Sequence, residues 1–148
     1  MSEQSLTGWW AERQHHYPIR VYYADTDAAG VVYHATYLAY AERARTEMMR
    51  LIGLGPEWPP RNESVMIVVR ACEIDYRRSA LLDDVLTVKS SLRSLRGASF
   101  RVEQDICRGG EVLVRLGVTL VCTRGIGHAT RIPEDLRERM NNYLRQDE

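Results

Sequence analysis

One long helical pattern stands out in this chain, with strand patterns on both sides of it. Apolar side chains at Tyr37, Leu38, Tyr40, Ala41, Ala44, Met48, Leu51 and Ile52 fall on one helical face, with Glu42, Arg43, Arg45, Thr46, Glu47 and Arg50 opposite. Thr36 is placed to cap its start and Gly53 to stop it. Before the helix, residues 16–23 alternate Tyr17, Ile19, Val21 and Tyr23 against His16, Arg20 and Tyr22. After it, four further runs alternate with period two. Met66, Val68, Cys72, Ile74 and Tyr76 share one face, interrupted by Arg70; Leu86, Val88 and Leu92 mark the next run, and Phe100, Val102, Gln104 and Ile106 the third. The last run carries Val112 to Cys122 after an Arg108-Gly109-Gly110 hairpin signal. A lone long helix and an antiparallel sheet bury both apolar faces only against each other, so the simplest α+β fold wraps the sheet around the helix. Such a layer keeps an exposed edge and an unfinished cleft, and pairing of two copies is expected.

The 148 residues suit a single domain, read as residues 16–145 behind an N-terminal arm at 1–15. Pro133 before Glu134 and Asp135 predicts a short C-terminal helix with Leu136, Met140, Tyr143 and Leu144 on its apolar side. The Gly- and Pro-rich residues 53–64 read as a loop. Twenty basic and 20 acidic side chains cancel, which argues against nucleic acid as a partner. No apolar run approaches a membrane span, and the first residues do not read as a secretory signal. Cys72, Cys107 and Cys122 are odd in number and widely spaced, as expected of reduced structural thiols in a cytoplasmic protein.

The chemistry concentrates between the first strand and the helix, in YYADTDAAGVVYHATYLAYAERART. Asp25 and Asp27 followed by Gly30 invite a calcium-loop reading. Counting from Asp25, however, the fifth position is Ala29 and the twelfth is Thr36, where oxygen ligands and a glutamate are needed. The calcium loop fails. A magnesium site on the two carboxylates stays open, as does a plain turn built by aspartates bonding their own backbone. The plain turn is favoured for Asp25. Asp27 has different neighbours: residues 34–36 start a helix, whose unpaired N–H groups and positive dipole end can polarise a carbonyl. A carboxylate beside that carbonyl would serve as nucleophile or general base in acyl transfer.

The run YADTDAAGVVYHATYLAYAERARTE resembles the signature of the 4-hydroxybenzoyl-CoA thioesterase family of hotdog-fold proteins, and is most similar to its bacterial branch of Tol-Pal-associated acyl-CoA thioesterases. EIDYRRSALLDDVLTVKSSLRSLRGASF and EVLVRLGVTLVC extend the likeness over residues 17–139. The resemblance implies a hotdog: a five-stranded antiparallel sheet around the long helix, with a short C-terminal helix, as a dimer or tetramer. It implies acyl-CoA hydrolysis without a cofactor or metal, with acyl-CoA bound across a subunit interface. Asp27 would be the catalytic carboxylate and the His34 N–H would polarise the thioester. The Tyr23 and His34 side chains would accompany Asp27, and Asp25 would support the turn. Gly30 and Tyr33 would meet substrate, and Arg93 and Arg96 would face the CoA phosphates through their bidentate forks. Tyr33 and Tyr37 also suit core or tunnel lining. Glu42 and Glu47 read as a polar helix face paired with Arg45 and Arg43. Cell-envelope or lipid-synthesis proteins are possible partners. Competing expectations are a thioesterase or dehydratase acting on acyl carrier protein, and a non-enzymatic acyl-CoA-binding scaffold.

Overall fold

A computed structural model describes residues 6–54 and 65–145. Its elements are β1 (Trp9–Ala11), β2 (Gln14–Arg20), a 3-10 turn (Tyr23–Asp25), α1 (Thr36–Ile52), β3 (Val65–Tyr76), β4 (Val85–Leu95), β5 (Ser99–Arg108), β6 (Glu111–Arg124) and α2 (Glu134–Asn141). The strands form one antiparallel sheet in the order β1-β2-β4-β5-β6-β3. From residue 55 on, the loop expected at 53–64 lies outside the described residues.

The sheet has six strands, not the expected five. The extra one, β1, comes from the stretch read as an arm. It pairs Trp9 with His16 and Trp10 with His15. Trp9 stacks on His16 at 5.5 Å, while Trp10 lies 4.5 Å from the ring of Tyr143. Two residues of positive φ, Glu12 (55°) and Arg13 (60°), close the hairpin. That geometry normally selects Asn or Gly, so its sequence signal is absent here. Aromatic packing holds the turn in place of turn chemistry.

The face that α1 turns to the sheet consists of Tyr37, Tyr40, Ala41, Ala44, Met48 and Ile52, all buried. It packs on β2, β4 and β5. One polar group sits in that seam. The Gln104 amide donates to Ala41 O and Ser90 Oγ, both at 2.9 Å, and its oxygen accepts from Arg45 at 3.0 Å. Helix, β4 and β5 are thereby tied through one buried side chain. Arg45 donates to Gln104 and feels the charge of Glu42 without a direct ion pair among the described residues, and Glu47 meets Arg50 at 3.4 Å where Arg43 was expected. Gly53, at φ 124°, ends the helix, its N–H reaching Met49 O and Arg50 O. Thr36 is not the cap: it is the first helical residue, Ala35 precedes it in helical geometry, and no side chain caps the end.

The run expected to bury one face on β3 does not do so within this chain. β3 is an edge strand with a register shift between Val69 and Ala71, and Met66, Val68, Val69 and Tyr76 are exposed. β4 to β6 bury the expected positions from Leu86 to Cys122 except Val112, which is half-buried while Leu113, beside the register shift at Ile106 and Cys107, is buried. Of the first pattern, Ile19 and Val21 are buried, Tyr17 is half-buried, and Tyr23 is exposed in the 3-10 turn. Pro133 precedes α2, which buries Leu136 and Met140. All three cysteines are free and lie in strands, Cys107 and Cys122 buried and Cys72 exposed.

His15 is a buried polar group of β2. Its Nε2 lies 2.6 Å from Thr7 O, while Nδ1 has no hydrogen-bond partner among the described residues. Burial therefore lowers its pKa below the ordinary 6.5, as a second proton would have no acceptor. The unfolded chain then binds that proton first. Stability is full above about pH 6.5 and declines as pH falls through the lowered folded value. Thermal melts between pH 7.5 and 5 should show this slope, and His15→Phe should flatten it; an unchanged slope in the variant would refute the assignment. Gln104→Ala should cost about 3 kcal/mol in urea unfolding, because Ala41 O, Ser90 and Arg45 lose their shared partner.

Candidate active site

Leaving β2, the chain folds into two consecutive turns, each clamped by an aspartate. Asp25 Oδ2 accepts the Tyr22 N–H at 2.9 Å, and its backbone O accepts the Tyr33 N–H at 2.9 Å. The half-buried Asp25 therefore ties the 3-10 turn to the segment that enters α1. It also lies close to the Tyr40 hydroxyl: burial first, and then this carboxylate, push the Tyr40 phenol up. The second turn runs from Asp27 to Val31. Asp27 N–H donates to Val31 O at 2.9 Å, its O accepts the Gly30 N–H at 3.0 Å, and its Oδ1 accepts the Ala29 N–H at 2.9 Å. Oδ2 has no hydrogen-bond partner among the described residues. Gly30 supplies the φ of 82° that the turn requires.

Val32 N–H donates to Ala80 O at 2.9 Å and docks this loop on the segment after β3. Ala80 N–H in turn donates to Tyr37 Oη at 2.9 Å, and burial holds that phenol protonated by pushing its pKa up. Between loop and strand end lies a cavity of about 270 Å³, walled by Asp27, Val31, His34, Tyr37, Tyr76 and Arg77 among others. The His34 ring sits 4.6 Å from that of Tyr33 and edge-on to Tyr76 at 6.3 Å.

The missing helix cap has a chemical consequence here. Thr36 N–H is satisfied by Tyr33 O at 2.8 Å, but neither His34 nor Ala35 N–H donates a hydrogen bond among the described residues. Both lie at the positive end of a 17-residue helix, and His34 lines the same cavity as Asp27. Such a pairing can bind a carbonyl oxygen while an acid acts on its carbon or on water. Among the described residues no three His, Cys, Asp or Glu side chains gather as a metal site.

The model of the Thioesterase-like superfamily matches residues 21–140. The chain belongs to the Thioesterase-like superfamily. Among curated relatives, the acyl-CoA thioesterase YbgC of Haemophilus influenzae is 41% identical over 106 residues, covering 72% of this chain and 78% of the relative. The acyl-CoA thioester hydrolase YbgC of Escherichia coli O157:H7 is 43% identical over 105 residues, covering 71% and 78%. A crystal structure of a probable thioesterase from Bartonella henselae is 39% identical with a TM-score of 0.76, covering 81% of this chain and 99% of that one. The fold is hotdog-like, an antiparallel sheet with a long helix and a short C-terminal helix.

Within this thioesterase-like fold, Asp27 and His34 share the cavity, Tyr33 flanks His34, and Gly30 shapes the turn. Tyr23 is 81% exposed and does not line that cavity. Arg93 and Arg96 are not brought to it either. Arg93 meets Glu103 at 3.5 Å in a separate cavity of about 360 Å³ on the sheet, shared with Lys89, Arg115 and Arg145, and Arg96 is exposed at the β4–β5 hairpin. The stretch Tyr76–Ser79, of which the alternation marked only Tyr76 as a strand residue, also lines the Asp27 cavity. Two consecutive arginines at a strand end were the available signal.

Gly30→Ala separates backbone strain from crowding, since a Cβ there meets nothing within 4 Å. The positive φ alone should cost about 1 kcal/mol in urea unfolding, and a neutral result would rule that strain out.

Proposed function

We propose that this chain hydrolyses acyl-CoA thioesters at Asp27. The observation that carries the reading is the cavity in which Asp27, with Oδ2 unbonded, meets the uncapped start of α1. The likeness to YbgC proteins named as acyl-CoA thioesterases supports the substrate class. The thioester oxygen lies against the His34 N–H, so that charge developing on it is met by a fixed donor and the helix dipole. Asp27 then attacks the carbonyl carbon, expelling CoA thiolate and leaving a mixed anhydride for water. In the alternative role it takes the proton of an attacking water. Free acid and CoA result from both. His34 and Tyr23 accompany Asp27, Gly30 and Tyr33 meet the acyl-pantetheine, and Asp25 keeps the turn in shape. For the CoA phosphates, exposed Arg96 with Arg93 is the proposed contact, and Arg77 and Arg78 add positive charge at the cavity itself.

The working form is a homo-oligomer in the cytoplasm. Asp27 and His34 are exposed in a single protomer, whereas electrostatic stabilisation of an oxyanion is strongest where water is excluded. β3, which ends at the cavity, presents Met66, Val68 and Val69 to solvent on an open sheet edge, a surface suited to a second copy.

Asp27→Asn should fold normally and lose at least about a hundredfold in turnover of an acyl-CoA, the scale of a removed acid–base group. Full activity in that variant would reject Asp27. A steady-state comparison of acyl-CoA with the same acyl group on carrier protein should favour CoA; dominance of the carrier-bound substrate would overturn the CoA reading.

A further inference from the structure

The His34 carbonyl does not belong to the helix it precedes. In a regular α-helix it would accept the Leu38 N–H. Here Leu38 N–H goes to Ala35 O at 3.1 Å, and the donor to His34 O is the hydroxyl of Tyr76, at 2.9 Å. Tyr76 reaches it from the last position of β3, 42 residues away in sequence. Its own backbone is held firmly. It pairs with Val114 on β6, and the next two N–H groups, of Arg77 and Arg78, both donate to Leu113 O at 2.8 and 3.0 Å. Its ring meets Tyr37 at 5.8 Å and His34 at 6.3 Å, both edge-on.

We propose that Tyr76 is a positioning residue for the hydrolytic site, holding the His34 carbonyl out of the helical ladder so that the His34 N–H keeps its direction toward the cavity and the thioester oxygen. The inference rests on the proposed reaction at Asp27. Its physical basis is a competition between two donors for one carbonyl. Without the phenol, Leu38 N–H is the nearest replacement, and taking it winds α1 back by one residue. That winding rotates the peptides on both sides of His34. A donor on the His34 carbonyl also polarises the 34–35 peptide and strengthens its N–H as a donor, since bonds in a chain reinforce one another. The hydroxyl acts through the backbone and is not required to touch substrate.

Tyr76→Phe keeps the ring and removes only the donor. Steady-state kinetics of this variant and of Asp27→Asn, each beside the unaltered protein, test the inference. The expected result is a thermal melt close to that of the unaltered protein, KM within about twofold, and kcat lowered about tenfold, the pattern of an interaction made only in the transition state. An unchanged kcat, or a loss confined to KM, overturns the positioning role. Asp27→Asn tells the two failures apart. If that variant is inactive while Tyr76→Phe is normal, only this inference falls; if it is fully active, the reaction assignment falls with it. Should the Phe variant not fold, 3,5-difluorotyrosine at position 76 keeps shape and hydroxyl but ionises nearer neutrality. Loss of the donor should then add a descending limb to kcat against pH, and a profile identical to that of the unaltered protein overturns the proposal.

Discussion

The structure depends on one face of one helix. Tyr37, Tyr40, Ala41, Ala44, Met48 and Ile52 supply the apolar surface that β2, β4 and β5 need, and no second long helix is present among the described residues to share it. Each large side chain on that face contributes about 1.5–3 kcal/mol by leaving water. Apolar burial is non-directional and would tolerate small rotations of the helix. Gln104 removes that freedom: buried at the seam, it reaches Ala41 O, Ser90 and Arg45 together, and rotation would leave these groups unpaired.

With its axis and rotation held, the helix delivers its N-terminus to a definite place. The two aspartate turns then bring the chain into that place from β2. Asp25 works inward, on Tyr22 and beside Tyr40, while Asp27 works on the outer turn and keeps one oxygen free. Two acids one residue apart thus have unlike surroundings, because Asp25 ends the 3-10 turn and Asp27 opens the next one. The uncapped helix start is a small sacrifice of local stability, since a capped end is usually more stable by about 1 kcal/mol. Local conflict of this kind is expected where function, not folding, sets the backbone.

β3 joins the sheet to the site. As an edge strand it leaves apolar groups open to solvent, and its final residue reaches across to His34. Whatever covers this edge therefore sits on the same strand that holds the helix start. Sheet edge, cavity and helix terminus form one continuous structural unit.

Much of this was legible in the chain itself. Helical spacing from Tyr37 to Ile52, the stop at Gly53, the alternation of β4 to β6 and the short last helix are local properties, encoded by periodicity and turn residues. The acid–glycine–helix order of the stretch before α1, and its likeness to a known family, are likewise properties of the sequence alone. Tertiary structure decided the rest. β1 escaped notice because its hairpin turn is Glu12-Arg13, held by tryptophan packing and not by turn chemistry. The exposure of β3 escaped because alternation reports a face without saying whether this chain covers it. The tie from Tyr76 to His34, and the place of Arg93 in a separate cavity, depend on strand order, which brings together residues dozens of positions apart. Sequence determines which groups a segment can offer; only the packed sheet determines which of them meet.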